Sequence, residues 1–232
     1  MTPSHRFFLV AVVLGGLAQG ATDQPVAFRD ESLRYAVNWP SGLSLGEASL
    51  SSRRSGAGWE FDFTLDAGIP GFPIADRFHS VTDGNLCSQE FERDTRHGSK
   101  KSSEKSTFDY RDGFAHRKTA NGGTSDVGIP ARCAMDALAY LYSARNALAR
   151  GSVPQPDKLY FGSAYAVRLE NIGQQSVTVA GKPTESDHVT VHLQGPASNS
   201  TFEIFFARDA ARTPLLVKIP SGVGTISLEL AR

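Results

Sequence analysis

Two histidines four residues apart, His188 and His192 in DHVTVHLQG, are the first candidates for chemistry in this 232-residue chain. On a helix that spacing could bring both imidazoles to one metal. In a strand it separates them by ~13 Å, at ~3.3 Å per residue. The segment alternates Val189, Val191 and Leu193 with His188, Thr190 and His192. That is a strand pattern, so both histidines are read as polar residues of a solvated face. His79, His97 and His116 stand singly, and two cysteines, Cys87 and Cys133, make no zinc pattern. Cys87 beside a histidine would be a candidate nucleophile, but a cysteine held in a disulfide is inert. Carboxylates are plentiful, and no spacing selects a pair for glycosidase-type work. The glycines of IPG, NGG and GVG read as turns rather than as a phosphate cradle. No catalytic, metal or cofactor site is assigned, and a non-enzymatic protein is expected.

The elements available to position any site are mostly strands. SLRYAVNW places Leu33, Tyr35, Val37 and Trp39 on one face. WEFDFTLDAG sets Trp59, Phe61, Phe63 and Leu65 opposite Glu60, Asp62, Thr64 and Asp66. One dry face and one wet face is what an antiparallel sheet allows. In LSLGEASLSS, Gly46 marks a bulge where the phase slips. GIPGFPIA reads as a Pro/Gly loop. ADRFHSVTD, LCSQEFERDT and SEKSTFDYRD read as strands and GFAHRKTA as a weaker one; the basic run 96–105, which could meet an anionic partner, reads instead as a solvated hairpin tip between two strands. KLYFGSAYAVRLE reads as one long strand, followed by QSVTVAGKP, DHVTVHLQG, TFEIFFARD, PLLVKIP and TISLELAR.

One segment breaks the period. In IPARCAMDALAYLYSARNALARG, Ala137, Leu141, Ala144 and Leu148 recur at helical spacing, and Leu138 and Tyr142 widen the stripe. Gly151 supplies the stop. Arg145 and Arg150 fall late in the helix, where its dipole favours cations. The fold class expected is mainly β (α+β). It has one large curved antiparallel sheet, a half-barrel or open barrel of about 11–13 strands, and a single helix at about 133–150.

Residues 1–20, MTPSHRFFLVAVVLGGLAQG, have a basic start, an apolar run from Phe7 to Leu17, and Ala18 and Gly20 before a cut. This is the grammar of a signal peptide. The apolar run is short of the ~20 residues a spanning helix needs. The expectation is a cleaved leader (1–20), a flexible segment (21–27) and one β-rich domain (28–232). The mature chain would be exported to the periplasm without a transmembrane segment. Basic and acidic residues balance at 24 each, and losing Arg6 leaves one negative charge. Such a balance offers no electrostatic case for nucleic acid. In an oxidising compartment the two cysteines imply one intramolecular pairing, Cys87–Cys133, with two free thiols or intermolecular pairing as the alternatives.

Four motifs in order carry a resemblance. ESLRYAVNWPSGLSLGEASL presents Tyr35, Val37, Trp39, Gly42, Gly46, Ala48 and Leu50. CSQEFERDTRHGSKKSSEKSTFDY pairs two strands about a charged turn. Ile129, Pro130, Asp136, Leu138, Leu141, Tyr142 and Arg145 follow, and Pro214, Ile219, Pro220, Gly224 and Leu230 close the chain. The pattern resembles a bacterial exported family of unknown function, DUF3108, over about residues 28–232. That resemblance implies a mostly antiparallel sheet wrapped around a helix, similar in shape to periplasmic lipoprotein carriers, and it supplies no catalytic residues. Many members lack both cysteines, so Cys87–Cys133 would be a local staple. The aromatic faces either pack the core or line an apolar groove. The groove reading selects Trp59, Phe61, Phe63, Phe202, Leu141 and Tyr142. Its occupant would be a lipid or a lipoprotein acyl chain. The rival readings are an interaction module for an envelope protein and a hydrolase of envelope polymers.

Overall fold

Strands begin where the alternation begins. The computed structural model describes residues 29–69, 71–155, 157–196, 198–221 and 224–231. The expected leader (1–20) and the segment 21–27 lie outside the described residues. Eight strands come first: β1 (Glu31–Asn38), β2 (Ser44–Ser55), β3 (Gly58–Ile69), β4 (Phe72–Thr82), β5 (Ser88–His97), β6 (Lys100–Asp109), β7 (Phe114–Thr119) and β8 (Thr124–Gly128). A two-residue strand, β9 (Met135–Asp136), leads into the helix α1 (Ala137–Ala149). β10 (Asp157–Tyr160), β11 (Ala164–Val179), β12 (Lys182–Gln194), β13 (Asn199–Ala207), β14 (Pro214–Ser221) and β15 (Gly224–Ala231) complete the described chain.

All fifteen strands share one sheet, ordered from β8 down to β1 and then from β15 down to β9. The first and last strands therefore pair at its centre, Tyr35 opposite Leu230. Neighbours are antiparallel except β9 and β10, which run parallel. The count exceeds the expected one because β8 and β9 are too short for alternation to register. The long KLYFGSAYAVRLE strand is two strands, turned between Tyr160 and Ala164 with Gly162 at φ +72°. GIPGFPIA is also not a loop: β3 runs to Ile69 and β4 starts at Phe72, with Gly71 at φ +81° in the tight turn. Gly46 does mark a bulge, since the β1–β2 register slips between Val37 and Asn38. A Cβ there would fall 2.0 Å from the Asp66 carbonyl oxygen, so only glycine fits.

The sheet rolls until its far edge faces the inner side of β4–β7. The Phe161 ring lies 5.1 Å from Phe78 and 5.8 Å from Phe91, and Tyr160 packs edge-on against Phe108. Ser88 N donates to Ala134 O at 2.8 Å, and the Tyr160 hydroxyl donates to Gly128 O at 3.1 Å. The helix lies in the trough so formed and is buried on two sides. Leu138 and Tyr142 join Tyr35, Leu50, Trp59 and Phe61. Tyr140, Ala144 and Leu148 join Val167, Leu169, Val189 and Phe206. Alternation sends Phe205 to the outer face, where Val177, Val179 and Leu215 cover it.

Candidate functional site

The helix starts later than its sequence pattern suggests, at Ala137 rather than Cys133. Asp136 sets that start. Its Oδ1 accepts from Leu138 N at 2.9 Å and Ala139 N at 3.1 Å, satisfying two of the unpaired amides every helix begins with. Its Oδ2 accepts from the hydroxyls of Ser80 and Ser88, both at 2.6 Å. Asp136, Ser80 and Ser88 are all fully buried. Burial pushes the Asp136 carboxyl above the usual range, against the downward pull of these four donors. Three residues earlier, Cys133 is bonded to Cys87, with Cα atoms 5.0 Å apart. The staple and the cap together pin the N-terminal end of α1 to β4 and β5.

The middle of α1 is pinned by a charge. Arg145 is not a cation at the helix end: its side chain is 2% exposed and forms a bidentate pair with Glu31. Its Nε donates to Ala211 O at 3.0 Å, and its guanidinium sits 4.7 Å from the Tyr142 ring centre. At the far end Gly151, at φ +74°, closes the last turn through its amide to Leu148 O. α1 thus occupies the lower half of the trough, the half toward the β2–β3 and β4–β5 turns.

Above it the side chains of the described residues do not close the trough. A cavity of about 580 Å³ extends from Ala137, Tyr140, Leu141 and Ala144 on α1 toward the opposite end of the sheet. There Leu65, Leu193, Ser198 and Ile219 lie close to the β3–β4, β12–β13 and β14–β15 turns. The strand wall from Phe206 up to Ser200 is six residues, roughly 20 Å at ~3.3 Å per residue. Phe63, Phe78, Phe161 and Phe202 supply much of the surface, with aliphatic residues of β11–β13 opposite. The charged lining residues are already engaged: Asp76 with His97 Nε2 at 2.9 Å, and Arg93 with Glu104 at 2.9 Å. Arg93 also covers the Phe161 ring at 4.5 Å, and Glu104 holds Arg117 through its other oxygen. Tyr140 is the exception. Its hydroxyl is buried without a hydrogen-bond partner among the described residues, and burial pushes its pKa up to about 12.

Of the six residues expected at an apolar groove, Phe63, Leu141 and Phe202 line this cavity. Trp59, Phe61 and Tyr142 lie below it in the packed core, where the Phe61 and Tyr142 rings stack at 4.1 Å. Period-two alternation places residues 59, 61, 63 and 65 on one face but says nothing of height along the strand. The helix fills the lower part and leaves the upper part open. Tyr140, Phe78 and Phe161 escaped sequence reasoning because nothing in the alternation tells that their strands or helix face a void.

Other chemistry-bearing residues are dispersed. His188 and His192 lie on the outer face of β12, His188 stacked on Phe205 at 4.3 Å. Gly42–Leu43–Ser44–Leu45–Gly46 spells a nucleophile elbow, but Ser44 is exposed at the start of β2, in strand–turn–strand rather than strand–turn–helix context. Ser102 and Lys105 spell S-x-x-K, yet three residues apart on β6 they point to opposite faces, and Lys105 is held by Glu90 and Glu92. Asp109, Asp112 and His116 place ligand atoms within 4.8 Å of one another at the surface. Both His116 nitrogens are bonded to carboxylates, Asp126 first and then Asp112, which hold its pKa up.

Comparison with known proteins agrees with the architecture. The family model described as protein of unknown function (DUF3108) matches residues 34–231. A beta-barrel-like protein of domain of unknown function DUF1849 from Brucella abortus shares the fold, with a TM-score of 0.62 at 11% identity. It covers 88% of this chain and 96% of its own. A protein with a YmcC-like fold from Bacteroides fragilis aligns over 87% of this chain and 93% of its own, with a TM-score of 0.32 at 10% identity. No curated protein matches the chain. Among the described residues, no helix is long and apolar enough to cross a membrane.

Proposed function

We propose that this chain, which belongs to the DUF3108 family, is an exported, non-enzymatic binder of an apolar ligand, most simply the acyl chain of a lipid. The observation that carries the reading is the cavity: about 580 Å³ of space with a largely hydrocarbon lining. That volume falls in the range of roughly 300–1,000 Å³ typical of small-molecule sites. An apolar space of this size open toward solvent loses both packing and hydrophobic contacts until something apolar fills it. Its length, roughly 20 Å along β13, suits an extended chain better than a compact ring system. The charged groups at its wall are already paired, Asp76 with His97 and Arg93 with Glu104, which favours holding over chemistry. Export to the periplasm belongs to the same reading and rests on residues 1–20.

Uptake of an apolar fluorescent dye, displaced by a long-chain fatty acid, tests the proposal. Leu141 sits on the cavity wall and is only partly buried. Leu141→Trp should narrow the space and weaken uptake while leaving the melting temperature within a few degrees. Unchanged uptake in that variant would place the dye elsewhere and remove the support.

A further inference from the structure

The open end of the sheet differs in composition from the closed end. Seven connections lie on the mouth side: β1–β2, β3–β4, β5–β6, β7–β8, β10–β11, β12–β13 and β14–β15. None contains an Asp or Glu, and neither do the two strand residues flanking each side of every connection. The same flanks carry Arg96, Lys100, Lys101 and Lys118, all exposed. At the helix end, by contrast, the turns balance Asp83, Asp112 and Asp209 with Arg111, Arg208 and Arg212.

Exposed apolar bulk follows the same asymmetry. Among the described residues six large hydrophobic side chains are exposed, and four of them, Leu43 (62%), Ile69 (51%), Phe72 (46%) and Ile219 (38%), belong to the mouth end. They stand on or beside turns at the same end of the sheet, which touch in two pairs. Gly224 lies against Pro40 and Trp39, which joins the β14–β15 and β1–β2 turns. The Phe72 ring covers Gly98, whose amide donates to Pro73 O at 2.8 Å, which joins the β3–β4 turn to the basic β5–β6 tip. Ile219 belongs to both the rim and the cavity wall.

We infer that this rim docks on an anionic phospholipid surface, with Leu43, Ile69 and Phe72 entering the headgroup layer and Arg96, Lys100 and Lys101 facing the lipid phosphates. Apolar tips combined with nearby cations are what interfacial binding requires, and each cation near an anionic leaflet adds to the attraction. A lipid surface suits the geometry better than a folded partner, because the apolar side chains stand on separate hairpins and not in one flat patch. Docked this way, the mouth faces the bilayer, and an acyl chain passes between membrane and cavity without crossing water. Only that last consequence rests on the proposed function; the docking is read from the rim.

Co-sedimentation of the mature chain with vesicles tests it, comparing phosphatidylethanolamine mixed with phosphatidylglycerol against pure phosphatidylcholine. The chain should sediment with the anionic vesicles, less so as salt rises. Ile69→Ser with Phe72→Ser, and separately Lys100→Ser with Lys101→Ser, should each weaken that binding at least about tenfold. Both double variants should keep the parent melting temperature and dye uptake, since all four side chains are exposed. Absent binding to anionic vesicles, equal binding to phosphatidylcholine, or binding that survives both variants would overturn the docking. Loss with the lysine pair alone would overturn the insertion of the apolar tips. Vesicle binding without dye uptake would leave the docking standing and count only against the cavity's proposed role.

Discussion

Breaking the Cys87–Cys133 bond is the perturbation whose size the structure sets most directly. The two residues are 46 apart in sequence, and the bond joins the β4–β5 connection to the approach of α1. In the chain-entropy account, denying the unfolded chain a loop of that length is worth about 4 kcal/mol at 25 °C. In a chain of this length one kcal/mol moves the midpoint by roughly 2–4 °C. The Cys87→Ala/Cys133→Ala variant should therefore melt roughly 8–16 °C below the oxidised parent. Far-UV circular dichroism measures this, with the reduced parent as a second arm that should follow the variant. The loss should also be local. Cys133 stands three residues before the Asp136 cap, so amide exchange should accelerate in Leu138–Tyr142 before it does in β11–β13. Equal melting of variant and oxidised parent would refute the staple. A uniform rise in exchange would refute its role in holding the helix.

Further predictions follow from the other two anchors of the helix. Glu31→Gln leaves the buried Arg145 guanidinium without its countercharge and should destabilise by about 3–5 kcal/mol, read from urea unfolding. Loss of under 1 kcal/mol would mean that Ala211 and Tyr142 suffice. The Asp136 carboxyl has a folded pKa raised above its unfolded value of about 3.9. Its contribution is thus fully present below the unfolded pKa and is lost as pH rises through the folded one. The stability of the parent relative to Asp136→Asn should fall over that interval and then level off. A difference that instead grows with pH would show that the two serines and two amides hold the carboxylate ionised.

How much of this was legible in the sequence depends on what alternation encodes. It records which face of a strand is dry, so the β-rich class, the lone helix, the Gly46 bulge and the inner faces of β1 and β3 could all be read. It does not record height along a strand. Phe61 and Phe63 therefore look equivalent, although one stacks on Tyr142 and the other borders the cavity. Turn composition misled at GIPGFPIA, where β3 runs to Ile69 and β4 starts at Phe72, so that Gly68 and Pro73 sit in strands. Arg145 looked like a dipole-compensating cation because its partner, Glu31, is 114 residues away. Asp136 was visible as a motif position, but its four donors come from three separate segments that only the rolled sheet brings together. A void leaves no mark in composition, because the same leucines and phenylalanines line it as fill a core.

If the space above α1 holds an apolar ligand, that ligand should travel with the protein. Native mass spectrometry of the chain, isolated gently from the cells that make it, is the decisive measurement. A mass above that of the polypeptide is expected, released by organic solvent as an acyl-bearing lipid and reduced in Leu141→Trp. The bare polypeptide mass alone, obtained without detergent, would contradict it.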